Sequence, residues 1–133
     1  MTTSQIILYS LLALVIVVYL RRFLITRGIP RYSPSQLADR LKQGGVVLLD
    51  VRTPAEFQSG NIRGSVLVPL QELHRRTEDL QKYKGKELVC YCRSGSRSLM
   101  AAAQLRKKGF NAAHLEGGIA EWNFSQKSGR EHP

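Results

Sequence analysis

The stretch CYCRSGSRSLMAAAQLRKKG, residues 90 to 109, decides how this chain is read. The apolar run KELVCYC (86–92) leads into it and has the composition of a buried strand. The run SRSLMAAAQLRKKG (96–109) reads as a helix rich in alanine and leucine. Arg106, Lys107 and Lys108 sit near its negative C-terminal end, and Gly109 is its stop. Between strand and helix lies CRSGSRS, a thiol followed by cationic and small polar residues. A loop in that position can turn several backbone N–H groups inward and form an anion nest at a helix N-terminus. Gly95 supplies the backbone freedom for the tight curve. Ser94, Ser96 and Ser98 supply hydroxyls, and Arg93 and Arg97 supply fixed positive charge with bidentate geometry. Such surroundings lower the pKa of Cys92, so a thiolate is expected near neutral pH without a dedicated base. A plain buried cysteine beside a serine and glycine turn would leave the arginines and the helix start unexplained.

Outward from this loop the pattern alternates. Ser33-Pro34-Ser35-Gln36 is a capping box with proline at the first helical position, and it opens a helix to about Leu41 that Gly44-Gly45 stops. VVLLD (46–50) is wholly apolar until its final acid, as in a strand buried on both faces. Thr53-Pro54-Ala55-Glu56 repeats the helix-start signature for a short helix ending near Ser59-Gly60. SVLVP (65–69) is a further strand. LQELHRRTEDLQKY (70–83) carries apolar or aromatic residues at 70, 73, 80 and 83 and predicts an amphipathic helix. AAHLEGG (112–118) gives a short strand and a turn, and IAEW (119–122) starts a short last helix, with a polar, loose tail from Asn123. Helices alternating with short apolar strands predict a doubly wound α/β fold with a mostly parallel sheet. In such sheets the crevice lies at the carboxyl ends of the strands, where Cys92 ends one strand and Asp50 another.

The chain has two cysteines, Cys90 and Cys92. Thiols one residue apart make a strained disulfide, so the chain reads as one facing a reducing compartment. Cys90, mid-strand between Val89 and Tyr91, reads as a small core side chain, with a resolving or sulfur-relay role as the functional alternative. His74, His114 and His132 show no ligand spacing, so no metal site is expected. The formal net charge is +10, of which the first 31 residues contribute +4 through Arg21, Arg22, Arg27 and Arg31. The remaining excess suits a solvated surface or a pull toward anionic substrates. Lys82, Lys84 and Lys86 lack an aromatic-interleaved setting, so nucleic-acid binding is not expected.

The N-terminus is uncharged from Met1 to Leu20 and densely apolar from Ile6. Spanning a bilayer takes about 20 predominantly apolar residues. Arg21 and Arg22 can snorkel to the interface, which lets Phe23, Leu24 and Ile25 extend the run. A signal peptide would carry its positive charge before the apolar stretch, and a core helix would be apolar on one face only. The segment therefore predicts a single-pass anchor through residues 5–25. The arginines after it place the C-terminal domain in the cytoplasm, at an inner or plasma membrane.

LLDVRTPAEFQSGNIRGSVLVPL (48–70), VCYCRSGSRS (89–98) and GFNAAHLEGGIAEW (109–122), in that order, resemble the signatures of a single-domain rhodanese, a thiosulfate sulfurtransferase-like domain. The resemblance implies a rhodanese-like fold with a five-stranded parallel sheet wrapped by helices. It implies that Cys92 is the nucleophile that becomes a persulfide, with residues Arg93 to Arg97 cradling the substrate and no cofactor or metal required. Asp50 and Arg52 fall in the first signature, where they are expected to brace the site, Arg52 through Glu56. The substrates implied are a small anionic sulfur donor such as thiosulfate and a thiol or cyanide acceptor. The sequence departs from the family at Asn61 and Arg63, where histidine and proline are common; neither position is the nucleophile. The domains expected are an anchor helix with its flanks (1–27), a linker (28–33), the rhodanese-like domain (34–124) and a flexible tail (125–133).

Two rival functions remain open to the residues. Cysteine phosphatases and arsenate reductases also set a cysteine and an arginine around an anion loop. In phosphatases that loop is one residue longer than the Arg93-Ser94-Gly95-Ser96 that separates Cys92 from Arg97 here. A non-catalytic, membrane-tethered binding module is the other rival, but a scaffold has no need of the thiol.

Overall fold

The computed structural model describes residues 1–131. Helix α1 (Thr3–Thr26) comes first and is exposed along nearly its whole length. There follow strand β1 (Arg31–Tyr32), helix α2 (Pro34–Gln43), strand β2 (Val46–Asp50), helix α3 (Pro54–Ser59) and strand β3 (Val66–Leu67). After two 3₁₀ segments come strand β4 (Glu87–Tyr91), helix α4 (Ser96–Lys107), strand β5 (Ala112–Leu115) and helix α5 (Gly118–Glu131). The strands form one five-stranded sheet in the order β1-β5-β4-β2-β3, and every pairing is parallel. This is the doubly wound α/β architecture that the sequence predicts.

Strand β4 runs through the middle of the sheet, and its Leu88, Val89, Cys90 and Tyr91 have no exposed surface. Side chains alternate across a strand, so Leu88, Cys90 and Cys92 enter one core and Val89 and Tyr91 the other. Ala101, Ala102 and Leu105 of α4, with Leu73 and Leu80, cover the first face. Leu37 of α2 and Ile119 of α5 cover the second, with Trp122 packed against them. Cys90 is therefore a core side chain, and burial pushes its thiol far above the ordinary range.

Both expected capping boxes are present. Ser33 accepts from the Gln36 amide at 3.3 Å, and Thr53 from the Glu56 amide at 3.2 Å. Helix α2 runs two residues past Leu41 before Gly44, with φ of 80°, ends it.

Three expectations change. Residues 70–83 form two 3₁₀ segments, Leu70–Glu72 and Thr77–Tyr83, in place of an amphipathic α-helix. Leu70 and Leu73, and again Leu80 and Tyr83, lie three apart, which is the period of a 3₁₀ turn. The buried Thr77 hydroxyl also donates back to the Leu73 carbonyl at 2.9 Å, where it competes with helix continuation. The segment from Asn123, expected to be loose, is helical as far as Glu131, because α5 packs on α2 around Trp122 and meets no breaker before Gly129. His132 and Pro133, also assigned to that tail, lie outside the described residues. The expected linker, finally, contains β1, which pairs Arg31 with His114 and Tyr32 with Leu115.

Tyr91 ties the end of β4 to the β3 side of the sheet. Its hydroxyl accepts from the Ile62 amide at 3.1 Å and donates to the Ser65 hydroxyl at 2.8 Å. Tyr91→Phe leaves that buried amide unpaired, so urea denaturation of the variant is expected to show a loss of about 1–3 kcal/mol. An unchanged midpoint would mean that water replaces the phenol.

Candidate active site

Strand β4 ends at Tyr91, and Cys92 is the first residue beyond the sheet. Its side chain is 1% exposed, so the sulfur lies at the base of the loop that follows. Gly95 adopts φ of 117°, a left-handed conformation that favours glycine, and this turns its amide onto the Cys92 sulfur at 3.0 Å. Ser98, fully buried in the first turn of α4, accepts from the Cys92 thiol at 3.7 Å and donates to the Gly95 carbonyl at 3.0 Å; once the thiol ionises, the hydroxyl proton can turn to the sulfur instead.

Burial is the largest single influence on the Cys92 thiol and opposes ionisation. The pKa is nevertheless lowered, because the Ser98 amide and hydroxyl and the amides of Gly95 and Ser94 stabilise the thiolate. Of the groups the sequence pointed to, the inward amides and one hydroxyl are the ones that do this work.

The predicted loop residues divide into two groups. Gly95 and Ser98 converge on the sulfur, whereas Arg93, Ser94 and Ser96 stand exposed at the rim. Arg97 turns sideways to Glu56 in a two-point ion pair, with Nη1 at 2.8 Å and Nη2 at 3.0 Å from the carboxylate oxygens. Glu56 also closes the capping box at the start of α3, so that helix is tied to the cysteine loop. The Arg97 guanidinium pulls the Glu56 carboxyl from an ordinary 4.5 down to about 2. A depressed carboxyl contributes stability that is complete above its unfolded pKa, so this pair is lost only as pH falls from about 4.5 through about 2.

Glu56 was the expected partner of Arg52; the structure gives that role to Asp50. Arg52 Nε donates to Asp50 at 2.9 and 3.1 Å and Nη2 at 2.7 Å, with both residues buried. Positions two apart in extended chain share a face, which brings these side chains together. Arg52 Nη2 also reaches the Gly60 carbonyl at 2.6 Å, and its guanidinium lies 5.7 Å from the centre of the Tyr91 ring. Asp50 and Arg52 are thus paired with each other, and among the described residues neither hydrogen-bonds to the Cys92 sulfur.

Two further features escaped the sequence reading. The first turn of α5 locks the loop: the Ile119 amide donates to the Cys92 carbonyl at 2.9 Å and the Ala120 amide to the Arg93 carbonyl at 3.3 Å. Gly118, at φ of 63°, lies so close that a Cβ there would collide with the Arg93 and Cys92 carbonyls. The Gly117-Gly118 pair before IAEW was the available signal. The second feature is His114 on β5, whose Nδ1 lies 3.5 Å from the Ser98 hydroxyl. Burial lowers the His114 pKa, against an opposing pull from Glu116. A lone histidine in an apolar strand was its only trace. Among the described residues no cluster of three potential ligands could hold a metal ion.

A parallel α/β sheet that delivers a low-pKa cysteine into a loop of inward N–H groups defines a class of cysteine nucleophiles acting on small anions or on groups they carry. The comparisons narrow that class. The rhodanese-like domain model matches residues 33–125, and this chain belongs to that family. A sulfurtransferase of Allochromatium vinosum is 38% identical over 78 residues, which cover 58% of this chain and 71% of that protein. The crystal structure of a rhodanese-related protein from Thermoplasma volcanium superposes with a TM-score of 0.67 at 30% identity, covering 72% of this chain and 92% of that one. A Rhodopseudomonas palustris protein of unknown function, described as a possible tyrosine phosphatase, gives 0.67 at 26% identity, covering 77% and 85%. Other curated relatives are longer, and the chain spans only 50% or 24% of their length.

Ser98→Ala keeps the backbone amide but removes the hydroxyl from the sulfur. The pH profile for alkylation by iodoacetamide is expected to move to higher pH, because the reactive thiolate exists only above the Cys92 pKa. Cys90 is buried and held protonated, so the label reports Cys92 alone. An unmoved profile would show that the amides suffice.

Proposed function

We propose that the protein is a membrane-anchored sulfurtransferase that moves a sulfane sulfur from thiosulfate, or a similar anionic donor, to a thiophilic acceptor through a persulfide on Cys92. The observation that carries this reading is the 3.0 Å approach of the Gly95 amide to the Cys92 sulfur inside the loop. The same donors that hold a thiolate suit the terminal sulfur of a persulfide, which is also anionic. In the first step the Cys92 thiolate attacks the outer sulfur of thiosulfate. The sulfur–sulfur bond of the donor breaks and sulfite departs with its electron pair. A thiolate acceptor, or cyanide in vitro, then attacks the terminal sulfur, takes it as a persulfide or thiocyanate, and restores the Cys92 thiolate. Arg93, at the exposed rim, is placed to meet the donor as it arrives.

Phosphate-ester hydrolysis is the second reading. It asks for an arginine facing into the loop and for a proton to release an alkoxide. Arg97 is committed to Glu56, and Glu56, with its pKa near 2, is no proton donor at neutral pH. Sulfite needs no proton to leave, which favours sulfur transfer.

The anchor reading is supported by α1, whose 24 residues have no buried member. At about 1.5 Å per residue it is roughly 36 Å long, enough for a hydrocarbon core of about 30 Å. The arginines that follow it favour a cytoplasmic domain.

Intact-mass analysis after thiosulfate treatment tests the chemistry. The chain is expected to gain one sulfur atom that cyanide or dithiothreitol removes, and Cys92→Ala to gain none. Absence of the added sulfur in the unaltered chain, with hydrolysis of p-nitrophenyl phosphate in its place, would turn the reading to a phosphatase.

A further inference from the structure

Helix α1 does not stand clear of the domain at its C-terminal end, where it packs against α4. Val18, Arg21, Arg22 and Ile25 recur at positions i, i+3, i+4 and i+7, which is one face of a helix. That face lines an open cleft of about 470 Å³ together with Leu70, Met100 and Arg97. Three cations therefore border one cavity, but they are not equivalent. Arg97 is neutralised by Glu56, whereas Arg21 and Arg22 form no ion pair among the described residues. The uncompensated charge sits on neighbouring guanidiniums just where the apolar run of α1 ends. Aliphatic side chains wall it on both the helix side and the domain side. The complement of such a cleft is an anionic head joined to an aliphatic chain.

We propose that this cleft binds an anionic glycerophospholipid of the bilayer. Its phosphate is held by Arg21 and Arg22, and the start of its acyl chain lies against Val18, Leu70 and Met100. The inference rests on the anchor reading, since only a helix in the bilayer meets such a lipid at this level. The bound lipid joins α1 to α4, whose first turn carries Ser98 and so the donors that hold the Cys92 sulfur. The loop is thereby held at a fixed orientation to the membrane surface.

Native mass spectrometry of the full chain, released from detergent micelles doped equally with phosphatidylglycerol and phosphatidylcholine of matched acyl chains, tests the proposal. The unaltered chain is expected to retain phosphatidylglycerol over phosphatidylcholine by roughly tenfold, because the choline of phosphatidylcholine compensates its own phosphate charge whereas phosphatidylglycerol leaves that charge to the two arginines. Arg21→Gln with Arg22→Gln is expected to abolish that preference. The corresponding double lysine variant, and Arg75→Gln at an exposed site elsewhere, are expected to keep most of it, which separates loss of charge from loss of fold. Equal retention of both lipids by the unaltered chain overturns the proposal, as does a preference that survives the double glutamine change. So does displacement of the lipid by millimolar glycerol phosphate, which would assign the arginines to a soluble anion. Alkaline carbonate extraction of membranes distinguishes the two levels. A chain washed off by carbonate overturns the anchor and the lipid site together, while a chain that stays but shows no lipid preference overturns the site alone.

Discussion

The hydrogen bond from the Gly95 amide to the Cys92 sulfur sets the terms for the rest of this molecule. A thiolate in a site that is 1% exposed is unfavourable unless donors replace the water it has lost. Amides do this without side-chain entropy and without a neutralising counter-charge, but only if the backbone is held in a conformation that aims them. Gly95 supplies that conformation, and α4 must begin at the next residue so that the Ser98 amide and hydroxyl also face the sulfur. The loop is fastened from outside by the Ile119 and Ala120 amides, which bind its carbonyls and leave its own amides free for the sulfur. The parallel sheet is the device that makes this possible, because it ends β4 and begins α5 on the same side of the molecule.

The arginines near the loop act as fasteners in the folded chain. Arg52 is locked to Asp50 below the site, and Arg97 is locked to Glu56 beside it. Breaking a buried ion pair by removing one partner is strongly destabilising, because the remaining charge is stranded. The Asp50–Arg52 pair is of that kind; Arg97 and Glu56 are each about one-third exposed, so water softens the loss there. With both guanidiniums committed, Arg93 at the rim is the loop arginine left to meet the anionic donor of our proposal, whose leaving group carries its own charge away and asks for no proton.

The junction between α1 and the domain extends the same logic to the N-terminal helix. Arg21 and Arg22 line a cleft against α4, so in our proposal one pair of side chains serves both the topology of an anchoring helix and lipid recognition. On that proposal the distance from bilayer to thiol is set by packing at the end of α1 and not by a loose tether. The β1 strand reinforces this, because the residues after α1 enter the sheet at once by pairing with His114 and Leu115.

What the sequence determined by itself is whatever neighbours in the chain can specify. The apolar runs of β2 and β4, the capping boxes at Ser33 and Thr53, the glycine in CRSGSRS and the long apolar N-terminus all act over a few residues, and each is legible. Cys90 reads as core because it lies mid-strand, and Cys92 as the candidate nucleophile because it stands at the strand's end before the arginines, serines and glycine of CRSGSRS. The tertiary structure alone decided the partners. Glu56 faces Arg97, 41 residues away, because α3 and the loop meet over the ends of β2 and β4. His114 reaches Ser98 because β5 lies beside β4. The two-residue strand β1 exists only because β5 offers an open edge, and α5 continues to Glu131 because α2 receives it. Local propensity carries no record of which distant element will supply a hydrogen bond or a face. That choice is made by the order of strands in the sheet.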